Sequence, residues 1–534
     1  MAYVITQNCC KDASCVPVCP VDCIRPAGDG GEVSSTEMLY IDPVTCIDCG
    51  ACLEECPVDA IYHEDDLPEH LQRFRDLNAA YFDANPLEMS FAAATADHPP
   101  VEAGSLRVAI VGAGPAACYS AAELLRVNGV RVNVFERLPT PFGLIRAGVA
   151  PDHQHTKSIV DVFEPVFTNP RLKCYLNVEV GQHLTHEDLL AHHHAVLYAV
   201  GAPRSRDLGI AGEDLPGCHA AADFVAWYNG HPDHVSDTFD FSGRRAVIIG
   251  NGNVALDAAR VLLMSADELA RTDIAEHALK ALSDSTIREV VVLGRRAPAD
   301  AAFSVGELLA LGNLAGIDIV VEGDDGAEVD GADAESRAKV GLLREFRGRA
   351  NDPGNKRIVF RFMAAPAEVL GEGHAQGVRL VGHGDDAGEV IDSGLILKSL
   401  GYRGVALSGV PFDAGRGVVP NEHGRVVDEQ HGHRPGVYVT GWIKRGPRGV
   451  IGTNRTCARE TVARLWEDYD SGRLNRPVAD QAGLDRLLAD GGAEPVDWRG
   501  WQAIDAAERD RGSALSRPRV KFVDIADMLA VADV

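Results

Sequence analysis

Four cysteines near the start of the chain, Cys46, Cys49, Cys52 and Cys56 followed by Pro57, stand in the spacing C-x2-C-x2-C-x3-C-P. This is the bacterial iron-sulfur run, whose fourth Cys crosses to a second cluster. Zinc sites more often use two separated C-x-x-C pairs, and a disulfide framework needs an oxidising compartment, so iron-sulfur chemistry fits best. Shifting the stretch by 37 residues lays Cys9 on Cys46, Cys15 on Cys52 and Cys19 on Cys56, with C-P-V-D-C-I over C-P-V-D-A-I. The first copy lacks one thiol, because Asp12 stands where the second has Cys49. With the crossover, Cys46, Cys49, Cys52 and Cys19 are expected to hold a [4Fe-4S] cluster, and Cys9, Cys15 and Cys56 another cluster. That other cluster is either [3Fe-4S] or a labile [4Fe-4S] with Asp12 or water on its fourth iron. A small backbone shift would swap Cys10 for Cys9, although the repeat register favours Cys9. Cys23 aligns with Ala60 and reads as a packed free thiol.

Two glycine-rich turns carry a different chemistry. In R-V-A-I-V-G-A-G-P-A-A-C-Y-S-A-A-E-L-L, a short apolar run from Arg107 leads into Gly112, Ala113, Gly114, Pro115 and Ala117, and a helix-period stretch continues through Leu125. Gly112 lets the turn close, Gly114 lets backbone approach a pyrophosphate, and small Ala117 lets the helix pack on the strand while helix N–H groups face the phosphates. Val130 to Glu136 reads as the next strand, ending in the acid such a site uses for a ribose hydroxyl. The second unit has a strand over Arg245 to Ile249, a turn through Gly250, Asn251, Gly252, Asn253, Val254 and Ala255, and a helix over Leu256 to Met264. Its following strand, Glu289 to Leu293, comes late because a charged helical insertion spans about Asp267 to Ser283. That strand ends at Arg295 and Arg296 instead of an acid, and two guanidiniums there suit the 2′-phosphate of NADP.

These turns need separate scaffolds. A chain of 534 residues is too long for one core, and 46% hydrophobic residues mark it as globular. Nine of the 13 Cys fall between Cys9 and Cys56. The start has neither a basic leader nor an apolar signal core, and no run of 18 apolar residues occurs, so a soluble cytoplasmic protein without membrane insertion is expected. A net charge of −27 disfavours nucleic acid as a partner. Within Met1 to Asp65, 12 acidic residues face only Lys11 and Arg25, a surface suited to steering a basic partner. Phe91 to Leu106 has the small residues and Pro pair of a linker. Leu138 to His153 is too rich in Pro and Gly for a regular element and reads as a loop over the cofactor, with His153 as its catalytic candidate. His192 to His194 are consecutive and share no helix face, which argues against a metal. Ala195 to Val200 fits another strand. Gly436 to Trp442 is a strand entering a glycine turn, followed by a helix that Thr453 or Asn454 can cap.

The N-terminal stretch resembles bacterial two-cluster ferredoxins over about Met1 to Asn85, with Leu67 to Ala79 similar to their helical tail. Its gap between the first two Cys is shorter than in the common seven-iron ferredoxins. Gly250 to Asp257, Arg295-Arg296, G-V-A-P-D-H and T-G-W-I-K-R-G-P-R-G-V-I-G-T-N make residues 107 to 534 look like the adrenodoxin reductase family of ferredoxin-NADP reductases. The whole chain thus resembles the fused ferredoxin/ferredoxin-NADP reductases of mycobacteria and related actinobacteria. The resemblance implies that Gly112, Ala113, Gly114, Ala117, Glu136, Leu144, Trp442, Gly449, Val450 and Ile451 contact FAD, and that Asn251, Asn253, Val254, Arg295, Arg296 and Glu307 contact NADP. It implies an α+β ferredoxin (1–90), a linker (91–105) and two doubly wound α/β domains. The NADP domain (239–400) is inserted in the FAD domain (106–238 and 401–534). Hydride would pass from NADPH to FAD, and single electrons to the clusters and on to acceptor proteins such as ferredoxins or haem monooxygenases. Two rivals are an iron-sulfur flavoenzyme of the glutamate-synthase small-subunit type and a non-enzymatic redox carrier or sensor.

Overall fold

The structure is a computed structural model that describes residues 2–25, 38–87, 98–323, 334–381, 388–428 and 432–532. In the cysteine-rich module the repeat becomes two short antiparallel strand pairs. Tyr3–Ile5 pairs with Ile61–His63, and Ile24–Arg25 with Tyr40–Ile41. Each copy also contributes a single helical turn, Cys15–Val18 or Ala51–Glu54. The helical tail is observed as Arg73–Ala84, five residues beyond the expected Ala79, because the chain after Pro68 first makes a 3-10 turn at Glu69–Leu71. Asn78, 1% exposed, ties this helix to both strand pairs: its Oδ1 accepts from the N–H groups of Ile5 and Ile41, and its Nδ2 donates to the Ile5 carbonyl.

The larger part holds two sheets. The first has seven strands in the order Asn421–Glu422, Arg425–Val427, His433–Val439, Ala195–Tyr198, Arg107–Val111, Arg131–Glu136 and Leu172–Leu176, parallel from His433–Val439 onward. Val108, Ala109 and Ile110 are fully buried, as strands covered on both faces require. The second sheet has six parallel strands in the order Cys218–Ala220, Leu395–Lys398, Arg245–Ile249, Glu289–Leu293, Lys356–Arg361 and Ile317–Glu322. All of its strands fall in the chain between Ala195–Tyr198 and Asn421–Glu422 of the first, so the second unit is inserted in the first. The chain leaves and returns side by side, through Arg204–Ser205 paired with Tyr402–Arg403. One boundary is earlier than expected: Cys218–Ala220 already belongs to the second sheet, although it lies before residue 239. Its three residues are too short and too evenly half-buried to show a strand period.

The insertion after Met264 forms helices Ala266–Leu269 and Glu276–Ser283. The linker expected over 91–105 lies outside the described residues up to 97. From His98 the chain packs on the first unit, where the His98 ring stacks on Trp466. Among the described residues no helix is long and apolar enough to cross a membrane.

The last helices, Trp498–Ser513 and Ile525–Ala532, return to the first unit. Here Glu508 is fully buried and accepts from Arg146 at 2.8 and 2.5 Å, from Arg519 at 3.2 Å and from the Phe522 N–H at 2.9 Å. Arg146 belongs to the turn Leu144–Ala147, so the end of the chain pins that turn. Removing one member of a buried ion pair costs about 3–5 kcal/mol. Glu508→Ala is therefore expected to lower unfolding stability by about that amount, measured as a fall in urea midpoint at unchanged slope. A shift under about 1 kcal/mol would show that the network is not holding the segment.

Candidate redox site

The first glycine turn is closed by sterics. Gly112 has φ of 100°, and a Cβ there would stand 2.7 Å from the Ala199 carbonyl oxygen. Gly114 is the N-cap of helix Pro115–Leu125, and no side chain caps that end. Glu136 ends its strand with its carboxylate turned to the turn, accepting from the N–H groups of Ala113 at 2.9 Å and Leu138 at 3.2 Å. Burial pushes its carboxyl above the usual range against those two bonds. Gly143 faces Gly114 closely enough that its Cβ would lie 3.1 Å from the Gly114 Cα. The expected loop over 138–153 therefore contains a helical turn, Leu144–Ala147, with Leu144 40% exposed beside the glycine turn.

The second chain segment meets this turn directly. Gly441 packs on Ala116, where a Cβ would come within 2.6 Å of the Ala116 Cβ. Trp442 begins the turn Trp442–Arg445, its ring 5.3 Å from Tyr402. Gly449 has φ of 80°, and the Val450 N–H donates to Thr453 Oγ1. Helix Thr453–Asp470 starts at Gly452 without the side-chain cap expected from Thr453 or Asn454. Thr453 faces back to Val450, and Asn454 Oδ1 is taken by Arg445. The structure thus brings Gly112 to Ala117 and Trp442 to Ile451 to one place.

The second turn repeats the first. Gly250 has φ of 111°, with its Cβ position 2.1 Å from the Ser399 carbonyl oxygen, and Gly252 is the N-cap of helix Asn253–Leu263, again without a side-chain cap. Val254 is half-buried and Ala255 fully buried on that helix. Asn251 and Asn253 accept from the N–H groups of Ala302 and Ser304, which fixes the following loop. By contrast, helices at Thr185, Ser265, Ser304, Asp480 and Asp497 are capped by their own side chains. The N–H ends of the two glycine-turn helices carry no side-chain cap, and following a glycine turn this is the donor chemistry a dinucleotide pyrophosphate fits. Arg295 and Arg296 are exposed, and among the described residues neither guanidinium has a partner.

His153 lies where the two units meet. One ring nitrogen and carboxylate oxygens of Asp257 and Glu307 lie within 4.8 Å of one another. Arg260 braces the group, bonding Asp257 and Asp152 at 2.7 Å each. Burial pushes the Glu307 carboxyl up; His153 opposes this and Asp257 reinforces it. Asp257 and Arg260 were not singled out from sequence, where only their spacing of three on one helix face could have marked them. In the His192 to His194 run, His193 bonds Asn133 and the Leu189 carbonyl, and His194 accepts from the Arg107 N–H.

The cysteines divide into two groups. Cys19 lines one pocket with Cys46, Cys49 and Cys52. Cys23 lines the same pocket, its sulfur 3.4 Å from that of Cys19, so it is packed as expected but not remote. Cys9, Cys15 and Cys56 lie together on the other side; burial pushes all three thiols up, Cys9 to about 11, and Cys9 and Cys56 disfavour ionisation of Cys15. All thirteen cysteines are free thiols, a donor set that fits iron-sulfur clusters. Cys10 is 4% exposed, in the hydrophobic core of the first unit. The Asp12 carboxylate is engaged by Tyr119, Ser14 and Arg455.

Residues 106–295 match the pyridine nucleotide-disulphide oxidoreductase family and residues 39–62 the 4Fe-4S binding domain family. A probable ferredoxin/ferredoxin–NADP reductase of Mycobacterium leprae is 48% identical over 100% of this chain and 98% of its own length. NADPH-ferredoxin reductase FprA of Mycobacterium tuberculosis is 42% identical over 79% of this chain and 98% of its own. The solved structure of that FprA in complex with NADPH superposes with a TM-score of 0.74 at 41% identity, covering 80% of this chain and 100% of the other. With two uncapped glycine-turn helices, two groups of free thiols and these relatives, the chain belongs to the ferredoxin/ferredoxin–NADP reductase family.

Proposed function

We propose that this chain is an NADPH:ferredoxin oxidoreductase that carries its own ferredoxin, with FAD on the Gly112 turn, NADPH on the Gly250 turn and clusters on the two cysteine groups. The observation that carries the reading is the contact of Gly452 with Cys10, which joins the segment proposed to hold the flavin to the segment proposed to hold a cluster. When bound, the cofactors supply hydride transfer and its division into single electrons: each NADPH yields NADP+, one proton and two electrons, enough to reduce two clusters by one electron each. The protein's part is binding, orientation and electrostatics. The N–H ends of helices Pro115–Leu125 and Asn253–Leu263 would hold the pyrophosphates. Arg295 and Arg296 take the 2′-phosphate, and Glu136 is placed for a ribose hydroxyl. Leu144, Trp442, Gly449, Val450 and Ile451 would contact the flavin when it is bound. His153 and Glu307 stand together at the junction of the units, with Arg260 holding Asp257 beside them.

The four-thiolate group lies at the outer end of the module. Cys49 is exposed, Val44, Ile47 and Leu53 near it in the chain are 91%, 57% and 44% exposed, and Asp48, Glu54 and Glu55 in the same stretch are exposed too. This face suits a basic acceptor, a ferredoxin or a haem monooxygenase, and the free thiols suit the cytoplasm. The reading assigns a [4Fe-4S] cluster to this group and a three-thiolate [3Fe-4S] cluster to Cys9, Cys15 and Cys56.

An anaerobic titration with NADPH, followed by visible absorption and electron paramagnetic resonance, tests the function: flavin and cluster bands are expected to bleach together with NADPH but not with NADH at equal concentration. Clusters that stay oxidised under excess NADPH would refute it. The Arg295→Ala, Arg296→Ala double variant is expected to lose at least ten-fold in kcat/KM for NADPH while that for NADH changes little. Equal ratios of the two constants in variant and wild type would remove the pair from the site.

A further inference from the structure

Asp12 sits on a turn of the ferredoxin module yet is 3% exposed, and two of its partners come from far along the chain. Tyr119 Oη donates to its Oδ2 at 2.5 Å. Arg455 Nη1 lies 3.4 Å from Oδ1 and donates to the Asp12 carbonyl at 2.8 Å and to Ser14 Oγ at 3.2 Å. The Ser14 N–H and hydroxyl also donate to Oδ1. Tyr119 and Arg455 stand on the two helices that follow the proposed flavin-contacting turns, Pro115–Leu125 and Thr453–Asp470. Beside them, the Gly452 N–H donates to the Cys10 carbonyl at 2.8 Å, and a Cβ on Gly452 would stand 1.7 Å from the Lys11 carbonyl oxygen. Backbone meets backbone, with no side chain between.

The turn is held in an uncommon shape to achieve this. Lys11 and Ala13 have φ of 57° and 65°, left-handed conformations that non-glycine residues keep only where surrounding contacts over-determine them. The same turn connects Cys9 to Cys15. A second tie lies beside their expected partner Cys56, where the Pro57 carbonyl accepts from Ser158 of the first unit at 2.9 Å. The three-thiolate group therefore faces the first unit.

We propose that Asp12 is a docking residue: its carboxylate, clamped by Tyr119 and Arg455, seats the Cys9 to Cys15 turn on Gly452 and fixes the gap an electron crosses between the flavin site and the three-thiolate cluster. The inference rests on the flavin and iron-sulfur reading above. One electron leaves the flavin and one enters the cluster, while no bond or proton passes through Asp12, which acts by position alone. Both its oxygens accept bonds from these donors, so the proposal commits Asp12 to the contact and leaves three thiolates for that cluster. The aspartate that interrupts the cysteine repeat thus exchanges a ligand for an attachment point.

The test uses full-length holoprotein under anaerobic conditions, with a Tyr119→Phe, Arg455→Gln double variant and with Asp12→Asn. Five quantities are read: flavin reduction by NADPH, subsequent cluster reduction, the paramagnetic signal and the iron content of the oxidised protein, and hydrogen exchange of the amides at 10–14. The double variant is expected to reduce its flavin at the wild-type rate and to keep its three-iron signal. It should reduce its clusters at least ten-fold more slowly and exchange those amides faster. Asp12→Asn keeps an acceptor for Tyr119 and loses the charge, so it should fall between, with unchanged iron. Wild-type cluster reduction and exchange in the double variant would overturn the proposal. So would an Asp12→Asn protein of altered iron content or signal beside a silent double variant, since Asp12 would then be a ligand. If NADPH reduces no cluster even in the wild type, the redox reading fails, and amide exchange still decides whether the contact exists.

Discussion

Electron transfer slows steeply as the gap between two carriers widens, and here the demand for a short, fixed gap falls on a contact made by backbone alone. The Gly452 N–H bonds the Cys10 carbonyl, at an approach too close to admit even a single methyl group. Much of the surrounding structure is what this contact needs. Gly452 begins helix Thr453–Asp470, and that helix packs along helix Pro115–Leu125, which follows the first glycine turn. The Cys10 side chain is buried in the same core as Ala116, Ala117 and Tyr119. A displacement of the cysteine turn would therefore disturb the packing of the first unit, which resists it because close-packed interiors are not continuously deformable.

Charge is used inside the molecule in the same positional way. The chain carries a net −27, yet several of its buried acids meet cations from other segments. Glu508 holds Arg146 and Arg519, Asp468 holds Arg425 and Arg473, and Asp12 holds Arg455. Burial alone would raise the Asp273 carboxyl, but Lys157 and Lys521, both within hydrogen-bond reach, outweigh it and hold that carboxyl well below the usual range. Buried pairs of this kind add little net stability, because desolvation offsets attraction, but any arrangement that separates them is penalised. Their effect is to select which segment lies against which, so the C-terminal helices, the Leu144–Ala147 turn and the cysteine turn each have one place to go.

What the sequence revealed and what it hid follows from the range of the interactions involved. Both nucleotide turns were legible because their requirements are local: Gly112 and Gly250 must reach φ values near 100° and 111° beside a neighbouring strand's carbonyl, and only glycine does so freely. The cysteine repeat was legible for the same reason, since ligand spacing is a property of one short segment. The crossing at Cys218–Ala220 was not, because three residues show no period. The approach of His153 to Asp257 and Glu307 joins residues from the two units, and Tyr119 and Arg455 reach Asp12 from far along the chain. No pattern within a window of twenty residues reports such meetings. The turn Leu144–Ala147 was hidden differently: its flanking Pro and Gly argue for a loop, and contact with Arg146 from Glu508 supplies the order that local propensity lacks.

The central claim is that the fused module receives electrons from the flavin of its own chain across the Gly452 contact. Anaerobic stopped-flow mixing of the holoprotein with excess NADPH, repeated over a ten-fold range of protein concentration, tests this most directly. The account predicts that flavin absorbance falls first and cluster absorbance second, with a second rate constant independent of protein concentration. A second phase whose rate rises in proportion to protein concentration would mean that electrons pass between molecules, and would contradict it.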